Sequence, residues 1–148
     1  MEKDELFRLA QHVRYTTLQL SHNANESHTA GALSMTDVIV ALYANYLNNS
    51  PALQDSPERD RFILSKGHCC ASLYALLAEI GYFPMSELMA HFAENGTHFF
   101  AHASHTVPGV ELSTGSLGHG LPVACGLALG SKRKSIKNAI YCLVGDGE

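Results

Sequence analysis

The chain has 148 residues, 46% of them hydrophobic and 16% charged, which is enough apolar content for a buried core and too much for a disordered segment. Lys and Arg number 10 against 14 Asp and Glu, a formal charge of −4, and that balance excludes a protein that holds nucleic acid on a basic face. No apolar run reaches the roughly 18 residues of a membrane-spanning helix, and the charged start MEKDELFR lacks the uncharged stretch of a secretory signal.

Between residues 4 and 20, Leu6, Ala10, Val13, Thr17 and Leu20 recur at helical spacing and predict an amphipathic helix. It runs out in the polar stretch 21–25, and 31–34 reads as a second loop. A helix from near Thr36 puts Val38, Leu42 and Tyr46 on one face, with Ile39, Tyr43 and Leu47 beside them. Residues 48–60, with Pro51 and Pro57, read as a surface connection. Arg61-Phe62-Ile63-Leu64 predicts a buried strand that delivers the chain to Ser65-Lys66-Gly67. A helix from Cys69 to Ile80 follows, closed by Gly81 and Pro84. A short one over 86–94 stops at Asn95-Gly96.

From 97 to 120 there is no periodicity, and a stretch of that length is functional or disordered. Gly118-His119-Gly120 opens a further helix whose apolar face carries Leu121, Ala124, Cys125, Ala128 and Leu129, with Pro122 in its first turn. The basic group Lys132, Arg133, Lys134 and Lys137 fits a solvated helix end. The apolar run 139–144 predicts a central parallel strand buried on both faces, and it ends at Gly145-Asp146-Gly147-Glu148. The fold expected is α/β, three-layered, with a largely parallel sheet and helices on both faces. Residues 1–148 read as one domain, incomplete at its C-terminus because a central strand is its last element. Cys69, Cys70, Cys125 and Cys142 form no Cys-x-x-Cys pair, and a reduced, cytoplasmic chain is expected.

Ligands of such folds sit at the carboxyl ends of strands, and three features point there. Gly145-Asp146-Gly147 can bend sharply and offer a carboxylate to Mg²⁺, which relies on few protein ligands and on substrate phosphate oxygens; a plain Asp-Gly turn is the alternative. The stretch 113–120 is a glycine-rich loop entering a helix, suited to an anion or a flat ring, or else to close packing. It is not a Walker loop. His28, His68 and His102 lie in polar contexts, where neutral imidazoles can donate hydrogen bonds and shuttle protons. Their spacing matches no compact zinc pattern. His12, His22, His91, His98 and His105 read as surface residues.

In order along the chain, Asp60-Arg61-Phe62-Ile63-Leu64-Ser65-Lys66-Gly67-His68, Pro108-Gly109-Val110-Glu111, Ser113-Thr114-Gly115-Ser116-Leu117-Gly118 and Gly145-Asp146-Gly147-Glu148 together resemble the N-terminal, diphosphate-binding half of transketolase. The likeness runs from about Ala24 to Glu148 and is nearest to the split form, in which that half is a separate subunit. It implies thiamine diphosphate and a divalent cation, normally Mg²⁺, held by Asp146. His68 matches a histidine near the diphosphate and the reacting centre, His28 one that binds sugar and moves protons, and His102 one at the donor's hydroxymethyl end. Gly115, Ser116 and Leu117 match the loop used against the aminopyrimidine ring, and Gly145, Gly147 and Glu148 flank the metal-binding carboxylate at the cofactor.

The activity implied is transfer of a two-carbon ketol unit from a ketose phosphate to an aldose phosphate. A related synthesis of a deoxyketose phosphate from pyruvate, and a non-catalytic truncated or assembly subunit, are the alternatives. The Pro108–Glu111 run with Leu117 favours the transketolase branch. The family's Ser-Gly-His reads Glu26-Ser27-His28 here, its Gly-His-Pro reads Ala101-His102-Ala103, and its Gly-Gln-Gly reads Gly118-His119-Gly120. Two of these changes flank substrate-facing histidines, so an unusual or sulfonated ketose stays open as substrate. The family also needs a metal-binding asparagine beyond Glu148 and a glutamate from a pyrimidine-binding domain across a subunit interface. The 148 residues alone are therefore expected to be inactive without that C-terminal section or subunit, in a homo- or hetero-oligomer.

Overall fold

The computed structural model describes residues 1–148. Helix α1 (Lys3–Ala24) turns Ala10, Val13, Thr17 and Leu20 inward, the stripe its spacing predicts. Its ends are chemically marked. Glu2 and Glu5 form a reciprocal capping box, and Asn25 closes the helix in the left-handed conformation at φ 53°. Helices α2 (Thr29–Ser34) and α3 (Thr36–Asn45) follow, and β1 (Arg61–Leu64) leads through a short 3₁₀ turn into α4 (Cys70–Glu79). Helix α5 (Met85–His91), the long loop, α6 (Gly120–Arg133) and β2 (Ile140–Leu143) complete the chain.

Helix α4 is the centre of the molecule, because its residues from Cys70 through Ala78 are all buried. A helix apolar on every side must be surrounded, and α1, α2, α3 and α5 pack around it. Strands β1 and β2 are parallel, in a register that sets Phe62 beside Tyr141 and Leu64 beside Leu143. Those four side chains join the main core, while the alternate positions Ile63 and Cys142 lie on the opposite face, where α6 packs. Helices therefore cover both faces of the small parallel sheet, in three layers.

Four expectations change. Residues 21–24, read with Asn25 as a polar turn, are the last turn of α1, which Asn25 closes. Residues 31–34, read as a loop, belong to α2. Alanine and leucine around Gly31 favour one helical turn, and packing on α4 fixes it. Strand β2 is only half-buried throughout, because β1 is its single hydrogen-bonded neighbour. For the same reason the apolar face of α6 is largely open, with Leu121 and Leu129 exposed and Ala124 buried.

Candidate active site

The site forms where β1 and β2 end. Strand β1 hands the chain to Ser65 and to the turn Gly67–Cys69, which carries His68. His28 stands at the N-cap of α2, and His102 lies in the long loop. The three imidazoles converge: ring centroids are 5.1 Å apart for His28 and His68 and 5.9 Å for His28 and His102. Burial pushes the His68 pKa below its ordinary value, and His28, His102 and Lys66 add to that by charge repulsion. His68 is thus a neutral imidazole near neutral pH. Glu26 meets His28 at Nδ1, 3.3 Å away, which leaves Nε2 for other partners.

The long loop is ordered by bonds to buried anchors. The buried Tyr74 hydroxyl donates to the His102 carbonyl and accepts from the Ser104 amide, both at 3.0 Å. Ala103 donates its amide to the Gly67 carbonyl at 3.0 Å, and Thr114 Oγ1 donates to the Leu64 carbonyl at 2.6 Å. Gly67 is required there, since a Cβ would lie 2.1 Å from the Thr114 carbonyl oxygen. Gly120 allows an equally close approach, because a Cβ would sit 2.6 Å from the Ser65 Cα. Farther out, Arg59 and Arg61 both pair with Glu111, which ties β1 to the segment that follows Pro108.

A cavity of about 440 Å³ opens beside His68, lined by Lys66, Leu117, Val144, Asp146 and Glu148, with Gly31 and Ser34 at its edge. Gly145 and Gly147 contribute backbone to its wall. Asp146 is exposed and takes part in no ion pair of the chain. No cluster of three or more His, Cys, Asp or Glu forms a metal cage, and the Glu148 carboxylate is already engaged by the Gly118 and Gly145 amides and the Ser65 hydroxyl. Asp146 is therefore the free carboxylate for a cation here, which would need anionic ligand oxygens to complete its shell. Lys66, His68 and the Gly147 amide suit such an anion. The donor set fits a diphosphate bound with a divalent cation.

The structure thus brings Asp146, Gly145, Gly147, Glu148, Leu117 and His68 to one cavity. His28 shares a small hollow with His68 on the other side, together with Glu26, Phe92 and Ala101. His102 and Gly115 face a separate hollow with Phe100, Ser104 and Ser113, and Gly115 lies against the His102 ring. Ser116 is exposed and lines none of the three. The surface histidines stay outside: His91 pairs with Glu94, His98 approaches Glu87, and His105 bonds Ser113.

Lys66, Tyr74, Ser34 and Gly31 were not singled out by sequence. Lys66 sits inside the Ser65–His68 run and its charge was a usable signal. Tyr74, within a continuous apolar helix, gave none. Cys69 and Cys70 are buried, Cys125 is exposed and Cys142 half-buried, and all four are free thiols.

The model of the transketolase thiamine diphosphate binding domain matches residues 7–148. An apulose-4-phosphate transketolase subunit of Actinobacillus succinogenes is 42% identical over 98% of this chain and 53% of its own length. A 6-deoxy-6-sulfo-D-fructose transketolase subunit of a Clostridium species is 39% identical over 97% of this chain and 52% of its own length. The chain spans about half the length of these curated relatives. The crystal structure of transketolase from Campylobacter jejuni superimposes with a TM-score of 0.92 at 30% identity, over 99% of this chain and 24% of that one. With its parallel strands, glycine loop and Asp146 turn in the arrangement described, this chain belongs to the transketolase family, within its thiamine diphosphate binding domain.

Proposed function

We propose that residues 1–148 act as the diphosphate-binding domain of a transketolase that moves a two-carbon ketol unit between sugars, together with a pyrimidine-binding section or subunit. The observation that carries this reading is the convergence of Asp146, His68 and Leu117 on one cavity at the strand ends. The subunit names of the relatives support a divided enzyme. So does the exposed apolar face of α6, a surface whose chemistry suits cover by further protein.

In this reading Asp146 holds a divalent cation, Mg²⁺ by preference, against the diphosphate. His68, neutral, donates a hydrogen bond to a diphosphate oxygen, and Lys66 adds a positive charge at the same wall. Gly145, Gly147 and Glu148 shape the backbone around that group, and Gly115, Ser116 and Leu117 form the loop beside the ring. When bound, thiamine diphosphate supplies the carbon nucleophile and the electron sink. The bond broken is C2–C3 of the donor ketose, and the bond formed joins the two-carbon unit to the acceptor's carbonyl carbon. The donor's C3 hydroxyl must lose a proton and the acceptor's oxygen must gain one. His28, with Nδ1 turned to Glu26, exchanges that proton through Nε2. His102 orients the hydroxymethyl end of the donor.

The relatives' names specify a ketose phosphate in one case and a sulfonated ketose in the other. We take the donor here to be a ketose with an anionic group at its far end. An assay of the full-length protein with its partner section tests this. Phosphorylated or sulfonated ketose plus an aldose acceptor should yield the shortened aldose and the lengthened ketose, dependent on thiamine diphosphate and Mg²⁺. Turnover by residues 1–148 alone would contradict the divided-site reading.

A further inference from the structure

Glu148 follows the Gly-Asp-Gly turn, and the chain itself takes both of its carboxylate oxygens. Oε1 accepts from the Gly118 amide at 2.7 Å and from the Ser65 hydroxyl at 2.9 Å. Oε2 accepts from the Gly145 amide at 2.7 Å. Ser65 is fully buried, and its hydroxyl oxygen accepts in turn from the Gly120 amide at 3.1 Å. These groups come from three separate segments: the end of β1, the glycine loop that enters α6, and the turn after β2.

The connection is specific to a carboxylate. Three converging donors need acceptor-only oxygens, and an amide side chain would turn an N–H toward one of them. Charge-assisted bonds of this length are also about twice as strong as neutral ones. The glycine loop meets the Asp146 turn through no other hydrogen bond. Leu117 rides on that loop and Asp146 on that turn, and both line the 440 Å³ cavity.

We propose that Glu148 is a positioning residue: its carboxylate, with both oxygens bonded within the chain, ties the loop bearing Leu117 to the turn bearing Asp146 and so sets the spacing of two walls of the cofactor cavity. The benefit to binding rests on the thiamine diphosphate reading of that cavity; the tie itself does not.

The test uses the full-length protein. Glu148→Gln should weaken thiamine diphosphate binding in Mg²⁺ by about tenfold, in the range found for groups that orient a metal ligand. In the cofactor-free protein, amide hydrogen exchange of the 115–120 segment should speed up by about tenfold, the factor for loss of one charged hydrogen bond. Ser65→Ala, which cuts another arm of the same knot, should speed exchange in the same segment. Asp146→Ala should abolish cofactor binding and leave that exchange as it was. Activity lost in Glu148→Gln should return as cofactor is raised, a KM effect that general damage to the fold would not give.

Unchanged exchange over 115–120 in Glu148→Gln overturns the proposal, whatever happens to cofactor affinity. Faster exchange with undiminished affinity overturns it as well. If the wild-type protein binds no thiamine diphosphate, the reading of the cavity fails, and the exchange measurement still decides whether Glu148 makes the tie.

Discussion

The imidazoles of His28 and His68 stand 5.1 Å apart, centroid to centroid, yet only His28 has a carboxylate within ion-pair distance, Glu26 at 3.3 Å, while Glu148 acts on His68 from farther off. The two rings sit in unlike fields. His68 has burial, two neighbouring imidazoles and Lys66 working against its protonation. A pair of like residues in unlike surroundings can take different parts in a proton transfer, and His68, whose pKa is pushed down by burial, is the one at the Asp146 cavity.

The midpoint of His68, followed by the NMR shift of its ring, should therefore fall below the ordinary value of about 6.5. His28→Ala and His102→Ala should each move it upward, since each removes a group that disfavours the charged ring. The stability linkage has a definite sign. The unfolded ring takes up its proton first as pH falls, so the contribution from His68 is complete above about pH 6.5 and declines below it. A His68 midpoint at or above the ordinary value would refute this electrostatic picture.

Tyr74→Phe tests the anchoring of the His102 loop. The substitution removes the hydroxyl that bridges the His102 carbonyl and the Ser104 amide and leaves the amide without its partner. The expected loss is about 1–3 kcal/mol in denaturant unfolding, with faster proteolysis in the loop. Stability within a few tenths of a kcal/mol of the parent would mean the bridge contributes little.

Gly67→Ala should destabilise by about 1–3 kcal/mol, the usual cost of forcing an extra carbon into a filled site. The new Cβ meets backbone, the Thr114 carbonyl, which cannot rotate aside as a side chain would. The loop must move off the end of β1, and cofactor affinity should drop with it. Calorimetry paired with urea unfolding measures both.

Glu111→Ala should cost more, about 3–5 kcal/mol, because it strips the partner from a buried cation. Arg59 is only 8% exposed and relies on Glu111, whereas Arg61 is more open. Replacing both Arg59 and Glu111 by apolar residues should recover part of the loss. An additive double mutant would deny the pair any coupling.

Much of this was legible in the sequence because it rests on local rules. The α1 stripe, the strand at 61–64 and the helix closed by Gly81 follow from spacing and end signals, and the structure has each of them. Asp146 and His68 were found because each sits in a short polar segment just after an apolar strand. What escaped depended on distant partners. The helical state of 31–34 is fixed by packing on α4, and the order of the 97–120 loop depends on Tyr74, some 30 residues away in sequence. The half-burial of β2 depends on how many strands flank it, which its own composition does not encode.

The central claim is that Asp146 anchors a divalent cation and, through it, a diphosphate beside His68. Titration calorimetry of the full-length protein with thiamine diphosphate and Mg²⁺ tests it most directly, with Asp146→Ala alongside. The account predicts metal-dependent binding by the parent and none by the variant, with both proteins equally folded. Equal affinity with and without the Asp146 carboxylate would contradict it.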